Sequence, residues 1–386
     1  MTLPHSAHLP GSAVRSNATH RPFLRRWLIG GALLTAFLLG AVVLGVGFGM
    51  ELDMQEAVLG FATALIPVAI VVPAFLWLDR QEAEPVSSLV VAFAWGALVA
   101  TAFSYLANSF VHQVLWELAL DADLLTPVLV APVVEESAKG LGILVVWLMR
   151  KREFDGVLDG IVYAGVIAAG FAMAENVLYL GRALAEAGAA GLAVTFVLRG
   201  LVSPFAHPLF TIWIGIGIGL LVEKRGALRI LAPFVGLAVA IGLHAAWNAA
   251  ASLPVELWIG TYLMFHVPVF LATVVFVIWV RRREAGAVRS HLEHYTRAGV
   301  LSGQDLRMLG EARTRTQARA WARHHGGRAA GRAMQDFQDD AIELAFLRAR
   351  YLRGHAGPRS VDEERRLIES LTTARDGVRS ALLSRR

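Results

Sequence analysis

From Trp27 to Arg281 the chain is a succession of apolar runs, most of them near the length a helix needs to cross about 30 Å of hydrocarbon. Within lipid no water is available for backbone N–H and C=O groups, so such runs must be helical. They fall at 27–49, 58–78, 88–107, 124–148, 157–180, 191–222, 228–251 and 259–280. The predicted architecture is therefore all-α: a polytopic transmembrane helical bundle of about eight spans with a C-terminal soluble helical tail. Composition agrees, since only 17% of residues are charged, against about 25% in soluble domains.

The sequence divides into a leader (1–26), a membrane region (27–281) and an Arg-rich tail (282–386). Arg21, Arg25 and Arg26 precede the first apolar run as they would in a signal peptide. The run reaches Phe48, however, which is too long for such a segment, and it is read as a retained first span. The formal charge of +5 is not a nucleic-acid signal, because Arg25, Arg26, Arg150, Lys151, Lys224, Arg281 and Arg282 sit at span ends. Basic connectors at 149–155, 223–229 and 281–285 alternate with acidic or weakly charged ones, which predicts cytoplasmic termini. The connector at 79–85 is mixed in charge, and its cytoplasmic side follows from its neighbours. Segment 108–122 is expected to be an interfacial helix or a loop. Pro204 and Pro208 are expected to kink the long sixth span.

Beyond Arg283 the periodicity predicts amphipathic helices near 302–323, 329–353 and 362–384, punctuated by Gly326, Gly327, Gly354 and Gly357–Pro358. This tail is expected to pack on itself or on a protein partner, and its arginines suit contact with anionic lipid. The absence of cysteine excludes disulfides and thiolate metal sites.

The informative residues are the ionisable ones inside the apolar runs, which are costly in lipid and normally face a protein interior or an aqueous cavity. The fourth run holds Glu135, Glu136 and Lys139, with Glu135 and Lys139 four apart on one helix face. The fifth holds Phe171, Glu175 and Asn176, with Asp159 near its cytoplasmic end. The sixth holds His207, and the seventh holds His244 and Asn248, again four apart. His266 in the eighth run has no polar neighbour and reads as structural. A structural ion pair or a transporter gate would also account for Glu135, Glu136 and Lys139. Counted from the cytoplasmic span ends, Glu136, His207 and His244 are each roughly 15 residues deep, about 22 Å at 1.5 Å per residue. Glu175 is at a similar depth, so separate helices can present these groups at one level.

Such a set suits a divalent ion, with zinc expected from the His and carboxylate donors. The ion would lower the pKa of bound water and polarise a peptide carbonyl, while a second carboxylate moves the proton. His207, His244 and either Glu175 or a fourth-span Glu supply the ligands. Glu135 or Glu136 supplies the base, with Asn248 orienting a ligand or stabilising the oxyanion. No HExxH motif is present.

The ordered set Glu135-Glu136-Ser137-Ala138-Lys139, Asp159-Gly160, Phe171 through Asn176, His207, and His244 through Asn248 resembles the PrsW family of bacterial intramembrane proteases. That family is related to the CAAX prenyl endopeptidase and bacteriocin-processing superfamily. The resemblance covers about 125–251. It implies hydrolysis of peptide bonds in membrane-associated proteins, anti-sigma factors being one substrate class tied to the family, and a place in the bacterial inner membrane. It also implies an active centre containing Glu135, Glu136, Glu175 and the two histidines. Two other classes fit the residues: an ion-coupled transporter, although no inverted repeat is evident, and a catalytically silent membrane scaffold.

Overall fold

The computed structural model describes residues 21–78, 84–151, 154–224, 226–352 and 360–384, and these are helical or in short connections. The helices are α1 (Arg21–Glu51), α2 (Met54–Leu78), α3 (Val86–Ala94), α4 (Thr101–Glu117), α5 (Ala122–Leu125), α6 (Ala131–Met149) and α7 (Val157–Phe196). After them come α8 (Ala206–Glu223), α9 (Ala232–Ala251), α10 (Val255–Thr261), α11 (Val267–Arg297), α12 (Gly303–Leu309), α13 (Ala312–Leu352) and α14 (Ser360–Leu383). Four π-helical stretches, Trp95–Ala100, Thr126–Val130, Val197–Val202 and Tyr262–His266, are interposed. The leader expected at 1–26 lies largely outside the described residues, as do Gly354, Gly357 and Pro358 in the tail.

Six stretches among the described residues are long and apolar enough to cross a membrane. The eight runs of the sequence do not map onto them one to one. Runs 157–180 and 191–222 fall in a single 67-residue stretch, Val157–Glu223. The run at 124–148 is not among the six, and Glu135, Glu136 and Lys139 dilute its apolar character. The segment 108–122 also differs from expectation: the helix that begins at Val86 runs on to Glu117 before turning. Ser104 is buried and Asn108 half-buried on one face of that helix, whereas Ser109, Gln113 and Glu117 are exposed.

The middle of the bundle is α7. Every residue from Leu158 to Phe171 is buried, and α2, α3, α6 and α8 pack around it. A helix buried on all sides must be apolar and slim on all sides, and this stretch is built of Gly, Ala, Val and Ile with a few aromatics. Asp159 starts it: Oδ2 accepts from the backbone N–H of Asp155 at 2.7 Å and of Gly156 at 3.0 Å, satisfying donors that a helix N-terminus leaves open. The helical path breaks at Ala187 and Gly188, where Gly188 takes φ 61°, a conformation that favours glycine.

The closest approach of α7 and α8 is at Gly160 and Gly215. A Cβ on either would collide with the carbonyl oxygen of the other, so two hydrogen side chains set the spacing. Gly160→Ala is expected to cost about 1–3 kcal/mol, as overpacked cores do. Gly286→Ala, with nothing within 4 Å of its Cβ position, should cost none. Unfolding of the two variants in detergent checks this, and equal stabilities would refute the steric account.

The tail has its own core, formed by Val288, Leu292, Tyr295, Leu309, Phe337, Leu344 and Leu371 among others. It packs on itself, as one reading of the sequence held. The first of its residues lie on α11, which passes from the membrane region into the tail without interruption. In α13, Gly327 takes φ 74° and divides the helix, at one of the glycines that the sequence marks as punctuation.

Candidate metal centre

Glu135, Glu136 and Lys139 occupy the buried side of α6, where Glu136 and Lys139 are fully inaccessible. Burying charges is costly unless they are paired and hydrogen-bonded, and here each finds partners. Lys139 Nζ donates to Glu136 Oε1 at 2.8 Å and lies 3.5 Å from Glu135 Oε2. It also reaches His207 Nδ1 at 3.1 Å and sits 3.9 Å from the centroid of the Phe171 ring. Glu136 Oε2 accepts from Thr211 Oγ1 at 2.8 Å, and Glu136 Oε1 lies 3.0 Å from His244 Nδ1. With Glu136 ionised, His244 Nδ1 carries the hydrogen and donates it. Nε2 is thereby left as the basic nitrogen, turned toward Glu135 Oε2 at 3.9 Å.

Glu135 differs from its neighbour. Its Oε1 receives only a long bond from Asn108 Nδ2, 3.4 Å. Its Oε2 is buried with no hydrogen-bond partner among the described residues. That oxygen faces an imidazole nitrogen and has the Lys139 ammonium at 3.5 Å as its counter-charge, so its lone pairs are available to a cation. Glu135, His207 and His244 each offer a ligand atom, and the three atoms lie within 4.8 Å of one another. Tetrahedral zinc with bonds of about 2.0–2.2 Å puts its donors about 3.3–3.6 Å apart. Closing this set on an ion therefore draws the three donors together by up to about 1.5 Å. The residues fit a divalent metal bound by a Glu/His/His triad.

The remaining sequence candidates take distinct places. Glu175 Oε2 is 2.9 Å from His207 Nε2 and is paired with Arg199. Arg199, on the π-helical stretch Val197–Val202, also donates from Nε to Asn176 Oδ1 at 2.6 Å and covers the Tyr179 ring. Phe171 packs between Lys139 and the His207 ring, with ring centroids 5.5 Å apart for the latter pair. Asn248 is turned to the backbone, its Nδ2 donating to Pro127 O at 2.7 Å, so it braces α9 against the π-helical stretch before α6. Asp159 is not brought to the cluster and caps α7 instead. Phe210 stacks on His244 with centroids 5.0 Å apart.

Three partners escaped the sequence reading. Thr211 lies four residues after His207 and so shares its helix face, a signal that was available. Arg199 stood out only as a charge in an apolar run. Asn108 was hidden by the assignment of its segment to a connector.

The balance of charge agrees with a cation site. Glu135, Glu136 and Glu175 bring three negative charges against the two positive ones of Lys139 and Arg199. A bound cation would offset that single net negative charge.

A multi-pass helical bundle that buries a Glu/His/His cluster defines a membrane-embedded protein with a metal-binding centre. Comparison with known proteins narrows the class: the model of the PrsW family intramembrane metalloproteases matches residues 84–280, and the chain belongs to that family. Proteins named Protease PrsW are similar to it. The one from Clostridioides difficile is 31% identical over 169 residues, 43% of this chain and 65% of the relative. Those from Geobacillus kaustophilus and Oceanobacillus iheyensis are 29% and 27% identical, over 36% and 42% of this chain and 57% and 69% of theirs. The chain thus spans just under two thirds of the first of these relatives. No solved structure matches it.

Proposed function

We propose that the protein is an intramembrane, metal-dependent endopeptidase that hydrolyses peptide bonds of membrane-associated proteins, regulatory proteins such as anti-sigma factors among them. The observation that carries this reading is Glu135 Oε2, which no hydrogen bond engages, opposite His244 Nε2 in a buried triad with His207. Zinc suits a site with three such ligands and an open fourth position.

Glu135 Oε2, His244 Nε2 and a ring nitrogen of His207, released from Lys139 or from Glu175, would hold the ion. Bound there, a divalent metal makes water a nucleophile near neutral pH and polarises a carbonyl. Glu136 does not act on substrate: Thr211, Lys139 and His244 engage its two oxygens, and its work is to fix the His244 tautomer and ring, as outer carboxylates commonly do. Glu175 is the proton carrier. Its side chain is 17% exposed, against 7% for Glu135 and none for Glu136. Its neighbours Asn176, Arg199 and His207 line a cavity of ≈ 370 Å³. Glu175, through the carboxylate oxygen that its contacts to Arg199 and His207 do not use, takes a proton from water as the water oxygen bonds to the peptide carbonyl carbon. It returns that proton to the nitrogen as the C–N bond breaks, leaving a carboxylate and an amine. Arg199 and the Asn176 amide are donors lining the cavity from which the carbonyl would approach. Of the two ligand choices that the sequence leaves open, this takes the fourth-span Glu135, and it moves the base from Glu135 or Glu136 to Glu175.

Eight crossings remain the best account of the topology. Val157–Glu223 would be about 100 Å long if straight, and it is broken at Gly188 and again at Ser203–Phe205, so it crosses twice. α6 adds a crossing whose charges are sheltered by the bundle. An even number puts both termini on one side, and the basic connectors put that side in the cytoplasm of a bacterial inner membrane. The cytoplasmic tail then begins inside α11.

The experiment is metal analysis with cleavage of single-span membrane peptides by the purified protein in liposomes. About one divalent ion per chain is expected, with cleavage lost on chelation and restored by zinc. Full cleavage by metal-free protein would defeat the proposal. Solute transport without any cleavage would establish the transporter reading.

A further inference from the structure

The cavity beside His207 does not end there. Its wall residues Ser203, Pro204, Ala206 and Trp247 also line a smaller hollow reaching Tyr262 and His266. That hollow in turn shares Phe205, Leu209 and Phe270 with a third depression between α2 and α11. The three lie next to one another along the first half of α8 and are taken together as one trough. Its far part is walled by Ala74, Phe75 and Trp77 of α2 and by Thr273, Val274 and Val277 of α11. Thr273 is the one polar side chain among its lining residues, and its hydroxyl is committed to Val269 O at 2.8 Å. At the far end the two helices are tied together: Arg281 Nε donates to Leu78 O at 3.2 Å, and its guanidinium covers the Trp77 ring at 4.1 Å.

On the protease reading, we infer that this trough is the docking surface for the transmembrane helix of the substrate, with the scissile bond at the His207 end. The change in lining along the trough supports this. A helix in lipid satisfies its own backbone groups and needs nothing polar from its neighbours, which matches the far part. A segment unwound for cleavage exposes N–H and C=O groups that must find partners. The cavity at the other end supplies Asn176, Arg199 and His207, while the Ser203 hydroxyl there is committed to Leu198 O at 2.7 Å. The partner is therefore a single apolar helix that enters sideways between α2 and α11, lies along α8, and loses its helical form at the level of His207. A lipid acyl chain would suit the far part, but it has no use for the polar end.

Val274 and Val275 are adjacent on α11, and only Val274 lines the trough, while Val275 is 67% exposed elsewhere on the helix. The chain contains no cysteine, so a single introduced one is a unique attachment point. A benzophenone maleimide placed on Val274→Cys or Val275→Cys in liposomes, with a synthetic peptide whose span has about 20 Leu and Ala residues, reads occupancy without requiring hydrolysis. Photocapture of the peptide at 274 should exceed that at 275 by about tenfold. Val274→Trp, which fills the trough, should lower peptide cleavage by a similar factor with metal content unchanged, whereas Val275→Trp should not. Equal capture at both positions, or capture of lipid alone at 274 with peptide present, overturns the inference. If cleavage proceeds and is indifferent to Val274→Trp, docking here fails and the protease reading stands. Strong capture at 274 with no cleavage under any condition leaves the docking surface in place and removes the protease reading.

Discussion

Glu175→Gln is expected to lower peptide cleavage by about 10²–10⁴-fold, the range usual for loss of a positioned general acid or base, with bound metal retained. The amide keeps the size of the carboxylate and can still accept from Arg199, so the fold is not strained. It cannot take a proton from water. The same substitution at Glu135 should behave differently, removing cleavage and metal together, because Oε2 is there a donor to the ion. Cleavage by purified variants in liposomes, with metal content measured on the same samples, separates the cases. Metal lost from the Glu175 variant but kept by the Glu135 variant would reverse the assignment, to the other ligand choice that the sequence leaves open.

Glu136→Leu carries the largest expected cost in stability, about 3–5 kcal/mol, the usual penalty for removing one member of a buried ion pair. Lys139 has no exposed surface and would keep only the longer contact to Glu135 at 3.5 Å and the bond to His207. Thr211 and His244 would each lose the acceptor they now use. The double variant Glu136→Leu with Lys139→Met removes both charges and should recover much of the loss. It would still leave His244 unoriented and the protein inactive. Unfolding in detergent measures the two variants. A single variant as stable as the parent would show that the pair is not buried as described.

Much of this site is legible in the chain because charge inside an apolar run is conspicuous. Glu135, Glu136, Glu175, His207 and His244 stand out for that reason, and their equal depth follows from a rise of about 1.5 Å per residue along each helix. Depth says nothing of rotation. Asn248 shares a helix face with His244, four residues away, yet its amide turns to Pro127 O. Asp159, near the cytoplasmic end of its run, is spent on a helix end. Asn108 seemed to lie in a connector because Trp116, Glu117 and Asp121 close the same segment, whereas the helix carries it to Glu135.

The sequence by itself determined the all-helical membrane character, the polar groups within it and their level. Apolar length and the cost of burying charge are properties of each run taken alone. Only the tertiary structure decided which carboxylate oxygen no hydrogen bond engages, which imidazole nitrogen is held by Glu136, and that Arg199 ties Glu175 to Asn176. It also decided that the two halves of 157–223 meet in one helical stretch and that the tail builds its own core from the end of α11. Those outcomes depend on the azimuth of each helix against its neighbours. Contacts such as Gly160 against Gly215 fix that azimuth, and they join residues far apart in the chain.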